Sequence, residues 1–218
     1  MKKTFLILAA LLLTVSLFAQ KDTITNPYHF TLNVGYGFMP QKDHDNLFAN
    51  LVSDETHSKK VRSGVSYEFD YDYNFHKNYA CGVEFSMFNA FDSYMPTDSA
   101  KSSYSDDRYV FYVGPTFLYH TDLIKEHYTL FARATMGWMG FRNSMRNDKS
   151  VTYKRNCFGY GITAGVDYMI NDYLSVVGGI SYLGGTCGKM KDNDSTYTLD
   201  KKENLSRFNI SLGVKIKL

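Results

Sequence analysis

The last eleven residues, Phe208 to Leu218, alternate apolar and polar without a break. Phe208, Ile210, Leu212, Val214, Ile216 and Leu218 hold the even positions; Asn209, Ser211, Gly213, Lys215 and Lys217 hold the odd ones. Successive side chains of a strand point to opposite faces, so this segment has one wholly apolar face. Its length suits a tilted strand crossing a bilayer, roughly 9–11 residues. A chain made of such segments must turn its apolar faces either inward onto a core or outward to lipid.

Seven further segments carry the same period. They run Tyr28 to Phe38, Val65 to Phe75, Tyr79 to Met87, Tyr109 to Tyr119, Tyr128 to Trp138, Phe158 to Tyr168 and Leu174 to Tyr182. With the terminal segment that makes eight, an even number, as bacterial membrane barrels require. Pro115 falls inside the fourth; because proline cannot donate to a ladder, a bulge is expected there. The connections alternate in length. Residues 76–78, 121–127 and 171–173 make short turns, whereas residues 40–63, 92–107, 142–156 and 184–206 are long and polar. Short turns at one end and long loops at the other is the outer-membrane pattern, periplasmic and extracellular in turn. Both termini then fall on the periplasmic side.

The chain carries 18 Tyr and 16 Phe, and their placement fits two interfacial rings. Tyr28, Tyr73, Tyr79, Tyr119, Tyr128 and Tyr168 mark the short-turn end, and Phe38, Phe91, Tyr109, Trp138, Phe158, Tyr182 and Phe208 the long-loop end. Amphipathic rings gather where hydrocarbon meets headgroups. A soluble lipocalin-like barrel also has eight alternating strands, with the apolar face inward. Loop asymmetry, the two rings and the small polar face, which suits a narrow lumen, favour an all-β, eight-stranded antiparallel up-and-down transmembrane β-barrel.

The other terminus agrees. Lys2 and Lys3 precede an apolar run from Phe5 to Phe18, and Ala19 offers a small residue for cleavage. This is the make-up of a secretory signal peptide over residues 1–19, leaving a barrel domain over residues 20–218. Loss of both lysines takes the formal charge of +2 to about zero, so a nucleic-acid partner is not expected. The negative mean hydropathy argues against membrane helices and not against barrels, whose strands are half polar.

In pattern, residues 28–218 resemble the small eight-stranded outer-membrane barrels of the outer-membrane protein A and X type, within the porin-like superfamily. The resemblance implies a Gram-negative outer membrane, contact with its lipid and lipopolysaccharide, and insertion by the barrel-assembly machinery. It also implies a monomer. Members commonly end in an aromatic residue, where this sequence has Leu218. A peptidoglycan-binding segment is not expected, so cell-wall tethering does not carry over.

Chemistry-bearing residues concentrate on the polar faces. Asp70 is expected opposite Glu84, two carboxylates in one lumen. With Glu68, Asp72, Arg108, Arg133, Asp167, Arg207 and Lys215 they suggest a salt-bridged plug, since eight strands leave a lumen barely wide enough for side chains. A catalytic carboxylate pair or a proton path is the sharper alternative. Inward glycines, among them Gly37, Gly159, Gly161 and Gly165, leave room for water. Cys157 and Cys187 fall opposite each other near the long-loop rim and suggest a disulfide in an oxidising compartment. Cys81 stands alone on the lipid face. No metal-ligand or cofactor spacing appears.

His29 and His120 point into the lumen near the short turns. His44 and His57 accompany Ser53, Asp54 and Ser58 in the first long loop, without a catalytic spacing. The same loop holds the apolar stretch from Leu47 to Val52, suited to covering the mouth or meeting a partner. These residues predict a barrel with a structural or surface-interaction role and no catalysis. A small solute pore, or an enzyme that modifies lipid A, are the alternatives.

Overall fold

The computed structural model describes residues 26–40, 62–94, 104–122, 124, 127–146, 150–191 and 196–218. The signal segment and the first long loop, with Leu47 to Val52, His44 and His57, lie outside them. Strands β1 (Tyr28–Phe38), β2 (Ser63–His76), β3 (Tyr79–Tyr94), β4 (Tyr104–His120) and β5 (Tyr128–Arg146) follow one another in antiparallel pairs. They continue as β6 (Ser150–Met169), β7 (Leu174–Lys191), β8 (Thr196–Asn204) and β9 (Arg207–Lys217). The β9 strand pairs with both β1 and β7, and β6 with β7, so eight strands close on themselves and β8 stays outside the ring. Backbone bonds between Tyr28 and Leu218, 3.1 and 2.8 Å long, finish the β1–β9 seam. Closure leaves no unpaired edge around the ring, the condition for a sheet to stand in hydrocarbon.

The apolar faces turn outward. Ile210, Leu212, Ile162 and Phe158 are all more than 60% exposed, while Asp70, Asp72 and Ser86 on the opposite parity are at 0%. This inversion excludes the lipocalin arrangement, which buries its apolar face. Register brings the short-turn tyrosines together in cross-strand pairs, Tyr28 with Tyr73, Tyr79 with Tyr119 and Tyr128 with Tyr168, their ring centroids 5.2–5.4 Å apart. Tyr182 and Phe208 make the same contact at the other end, at 5.0 Å. Pairs of this kind add about 0.5–1.5 kcal/mol beyond their burial.

Four expectations about the ladder change. Pro115 makes no bulge: β3 pairs straight across it, and β4–β5 pairing stops at Val113↔Trp138 and resumes at Thr116↔Thr135 in the same register. The Pro115 carbonyl points to β5, where it accepts from Thr135 Oγ1 at 3.1 Å, so its missing N–H lies on that side and costs one ladder bond rather than an inserted residue. The β2–β3 turn is Lys77-Asn78, and Phe75 is the extra residue of a bulge between Asn74 and His76. Within the long connections the described residues 92–94, 104–107, 142–146, 150–156, 184–191 and 196–204 are strand, because β3 to β7 run on beyond the apolar belt. Finally β8, unforeseen, pairs with the β7 extension and meets β9 at Leu205-Ser206, where Asn204 Oδ1 accepts from the Ser206 amide at 2.9 Å.

Candidate functional site: a layered lumen and a protruding sheet

Inward positions build three layers. At the short-turn end Ala80, Leu118, Phe131 and Val177 form an apolar floor. Toward the long-connection end a larger apolar plug gathers Met39, Phe88, Val110, Tyr112, Met139, Phe141, Leu183 and Leu205. Between them lies a buried polar layer. Register sets Lys215, Thr31, Asp70 and Glu84 in one row across β9, β1, β2 and β3. Apolar closure at both ends keeps that layer from bulk water, where charge interactions are strong and unpaired charges costly.

Arg133 organises the acids. Its guanidinium spans Asp70, at 2.5 Å, and Asp72, at 2.7 Å. Thr116 Oγ1 also donates to Asp72, at 3.2 Å. Glu68 is held by neutral donors instead, accepting from Ser181 Oγ at 3.1 Å and Asn209 Nδ2 at 3.2 Å. Lys215 pairs with Asp167 and lies over the Phe131 ring, 5.2 Å from its centroid. Arg207, fully buried, ion-pairs with no carboxylate among the described residues. It donates to Ser86 Oγ at 2.5 Å and the Val110 carbonyl at 3.2 Å, and stacks over Phe88. Its place is thus in the plug. Arg108 and Arg155 flank Phe141 at 6.0 and 5.6 Å, also at plug height. Glu84 Oε2 has no hydrogen-bond partner.

The plug is what sequence reasoning missed. Its signal was the break in alternation at Val110-Phe111-Tyr112-Val113, which places apolar groups on both faces, as Phe117-Leu118-Tyr119 does for the floor. Three of the inward glycines seat large side chains: a Cβ on Gly37 would stand 2.8 Å from the Phe88 ring, one on Gly161 2.5 Å from Leu183 and one on Gly165 2.6 Å from Phe131 of the floor, whereas one on Gly179 would meet no atom closer than 3.5 Å. Cys157 and Cys187 are joined by a disulfide beside the plug, their Cα atoms 5.2 Å apart. It ties β6 to β7 where their ladder loses register, between Lys154 and Gly159. Cys81 is free and lipid-facing.

His29 meets Asn74 at 3.1 Å, and no acid or nucleophile joins it in a catalytic arrangement among the described residues. No group of three or more His, Cys, Asp or Glu able to hold a metal occurs among them either. Among the described residues no helix is long and apolar enough to cross a membrane.

A family model for the outer membrane protein beta-barrel domain matches residues 5–217. No curated protein matches the sequence. Among solved structures, a major outer membrane protein of Thermus thermophilus is similar at 10% identity and a TM-score of 0.56, covering 88% of this chain and 99% of its own. Neisserial surface protein A gives 14% identity, a TM-score of 0.53 and coverage of 88% and 97%. The outer membrane protein OprG of Pseudomonas aeruginosa gives 13%, 0.51, 88% and 98%. At these identities the likeness is one of fold.

Proposed function

The chain belongs to the outer membrane protein beta-barrel domain family, an integral barrel of the bacterial outer membrane, and from that premise we propose a closed, non-catalytic barrel that offers its protruding sheet to an extracellular partner. The observation that carries this reading is strand length. The β5 and β6 strands have 19 and 20 residues, where a crossing needs roughly 9–11. The surplus of about ten residues, at about 3.3 Å each, reaches on the order of 30 Å past the belt. With the long connections outside, both termini face the periplasm.

Among the described residues the protruding part has open edges: pairing of β3 with β2 stops at Asn89, Ala90 to Tyr94 pair only with β4, and β8 pairs only with β7. Unpaired edges accept an added strand through main-chain hydrogen bonds, which suits an extended segment of a partner protein. The layered lumen supports closure, since buried apolar side chains fill both the floor and the plug.

The test is adhesion. Bacteria expressing the chain are compared with the same cells carrying a variant in which residues 189–202 are replaced by a two-residue turn, which keeps the Cys157–Cys187 disulfide, both shown to be folded by heat-modifiable gel migration. Adhesion to epithelial cells or matrix should be gained with the native chain and lost with the variant. Adhesion equal to that of empty cells would sink the interaction role. Stable unit conductance in planar bilayers would make the protein a pore, and an altered lipid A mass spectrum on expression would make it an enzyme.

A further inference from the structure

The polar layer holds a small void of about 10 Å³, lined by Thr31, Asn33, Asp70, Arg133, Thr163, Gly179 and Lys215 among others. Several of the surrounding polar atoms lack hydrogen-bond partners. Thr31 Oγ1, Asn33 Oδ1, Asp70 Oδ1 and Arg133 Nε are all buried and unpaired, on residues at most 6% exposed. Native interiors rarely leave such groups unsatisfied; ordered water is the usual remedy.

Size and charge select the occupant. A space of roughly 10–15 Å³ holds one water and nothing larger. A cation there would face Arg133 and Lys215, and an anion would face Asp70. A neutral molecule that both donates and accepts satisfies both sides. The Lys215 ammonium keeps donors beyond the one it gives Asp167, and the Thr31 hydroxyl works in either direction.

We propose that this void is a binding site for a single structural water that joins the Asp70–Arg133–Asp72 cluster to the Asp167–Lys215 pair. Thr31 is the hinge of the bridge, because register puts it directly between Asp70 on β2 and Lys215 on β9. The two ion-pair systems then form one continuous polar layer, and removing the water unlinks them.

Gly179 gives the test its sign. A Cβ built there meets no atom closer than 3.5 Å, so Gly179→Ala places a methyl in the void without a clash. Were the void empty, filling it and removing a strand glycine would both stabilise the barrel. With a bridging water the methyl evicts it and leaves the orphaned groups dry. The experiment uses full-length barrel in nanodiscs with labelled threonine methyls. Water–methyl nuclear Overhauser spectra should show a long-lived water at Thr31 and Thr163 in the native protein. In Gly179→Ala that signal should vanish and the thermal midpoint should fall. Thr31→Val, which keeps shape and loses the hydroxyl, should weaken the signal at Thr163. Native spectra without long-lived water, a judgement that needs no variant to fold, overturn the proposal. So does a raised midpoint in Gly179→Ala.

Discussion

Replacing Arg133 with Met tests the polar layer most directly. The guanidinium is 5% exposed and both its carboxylate partners are at 0%, with contacts of 2.5 and 2.7 Å. Met keeps most of the stem's volume, so the change removes charge and donors with little cavity. Breaking a buried pair by deleting one member costs about 3–5 kcal/mol, because the survivor stays desolvated and unpaired. Arg133 serves two acids in a layer closed by apolar groups above and below, which puts the loss at the upper end, about 5 kcal/mol. Asp70→Asn and Asp72→Asn in the same chain remove the stranded charges. What is left is a set of unmade amide hydrogen bonds, about 1–2 kcal/mol in all. Glu68→Gln is the contrast: Ser181 and Asn209 donate to Oε1, and an amide carbonyl accepts those bonds as well, so the cost stays near 1 kcal/mol. Urea unfolding in lipid vesicles supplies the free energies, followed through Trp138, the single tryptophan, whose ring is on the lipid face. An Arg133→Met loss below about 1 kcal/mol would refute the reasoning, since buried pairs cannot be that cheap to break. A triple variant no more stable than the single one would refute it too.

The disulfide closes a sequence separation of 30 residues, worth about 3–4 kcal/mol on the loop-entropy scale; Cys157→Ser with Cys187→Ser should lower the urea midpoint accordingly, and mass spectrometry without reductant should find both thiols blocked in the native protein. In the short β4–β5 turn, hydrogen bonds from Lys77 and Asn78 hold the Asp122 carboxyl below its ordinary range. Its small contribution is therefore present above the ordinary carboxylate range near pH 4 and lost as pH falls through the lowered value. A carbon-detected titration should place Asp122 below a free aspartate, and Lys77→Ala should bring it back up. Gly37→Ala forces a methyl to 2.8 Å from Phe88 and should cost about 1–3 kcal/mol as overpacking, with part regained when Phe88→Leu is added; no loss on calorimetry would show that the plug is not packed against β1.

Strand positions and closure were legible because lipid imposes one rule on every outward residue. From Tyr28 to Leu218 the apolar parity could be followed strand by strand, and the order of short and long connections gave the ring. Pairing could be reached by arithmetic from the turns, which is how Asp70 meets Glu84 and Cys157 meets Cys187. The β2–β3 turn shows the margin involved: it is one residue shorter than it reads, yet the Phe75 bulge absorbs the difference before Asn74. The protruding strands were hidden for the opposite reason. Above the belt no lipid enforces alternation, so residues 142–156 and 184–206 read as polar loops although the backbone of residues 142–146, 150–156 and 184–191 continues the sheet.

Inside the barrel the rule is packing, and packing is local. Phe88 fits because Gly37 faces it, and Leu183 because Gly161 does; neither pair is visible until register brings strands together. The same holds for charge. Arg207 and Arg133 look alike as inward arginines, yet one lies among acids and the other among Ser86, Phe88 and the Val110 carbonyl. Height along the barrel decides between them. An arginine in the middle layer meets Asp70 and Asp72, and one level with the plug meets rings and backbone oxygens. A lumen read only as a list of charges becomes a uniform salt-bridged plug. Read by height, it is a polar slab sealed between two apolar layers, and the seals are what give the slab its energetic weight.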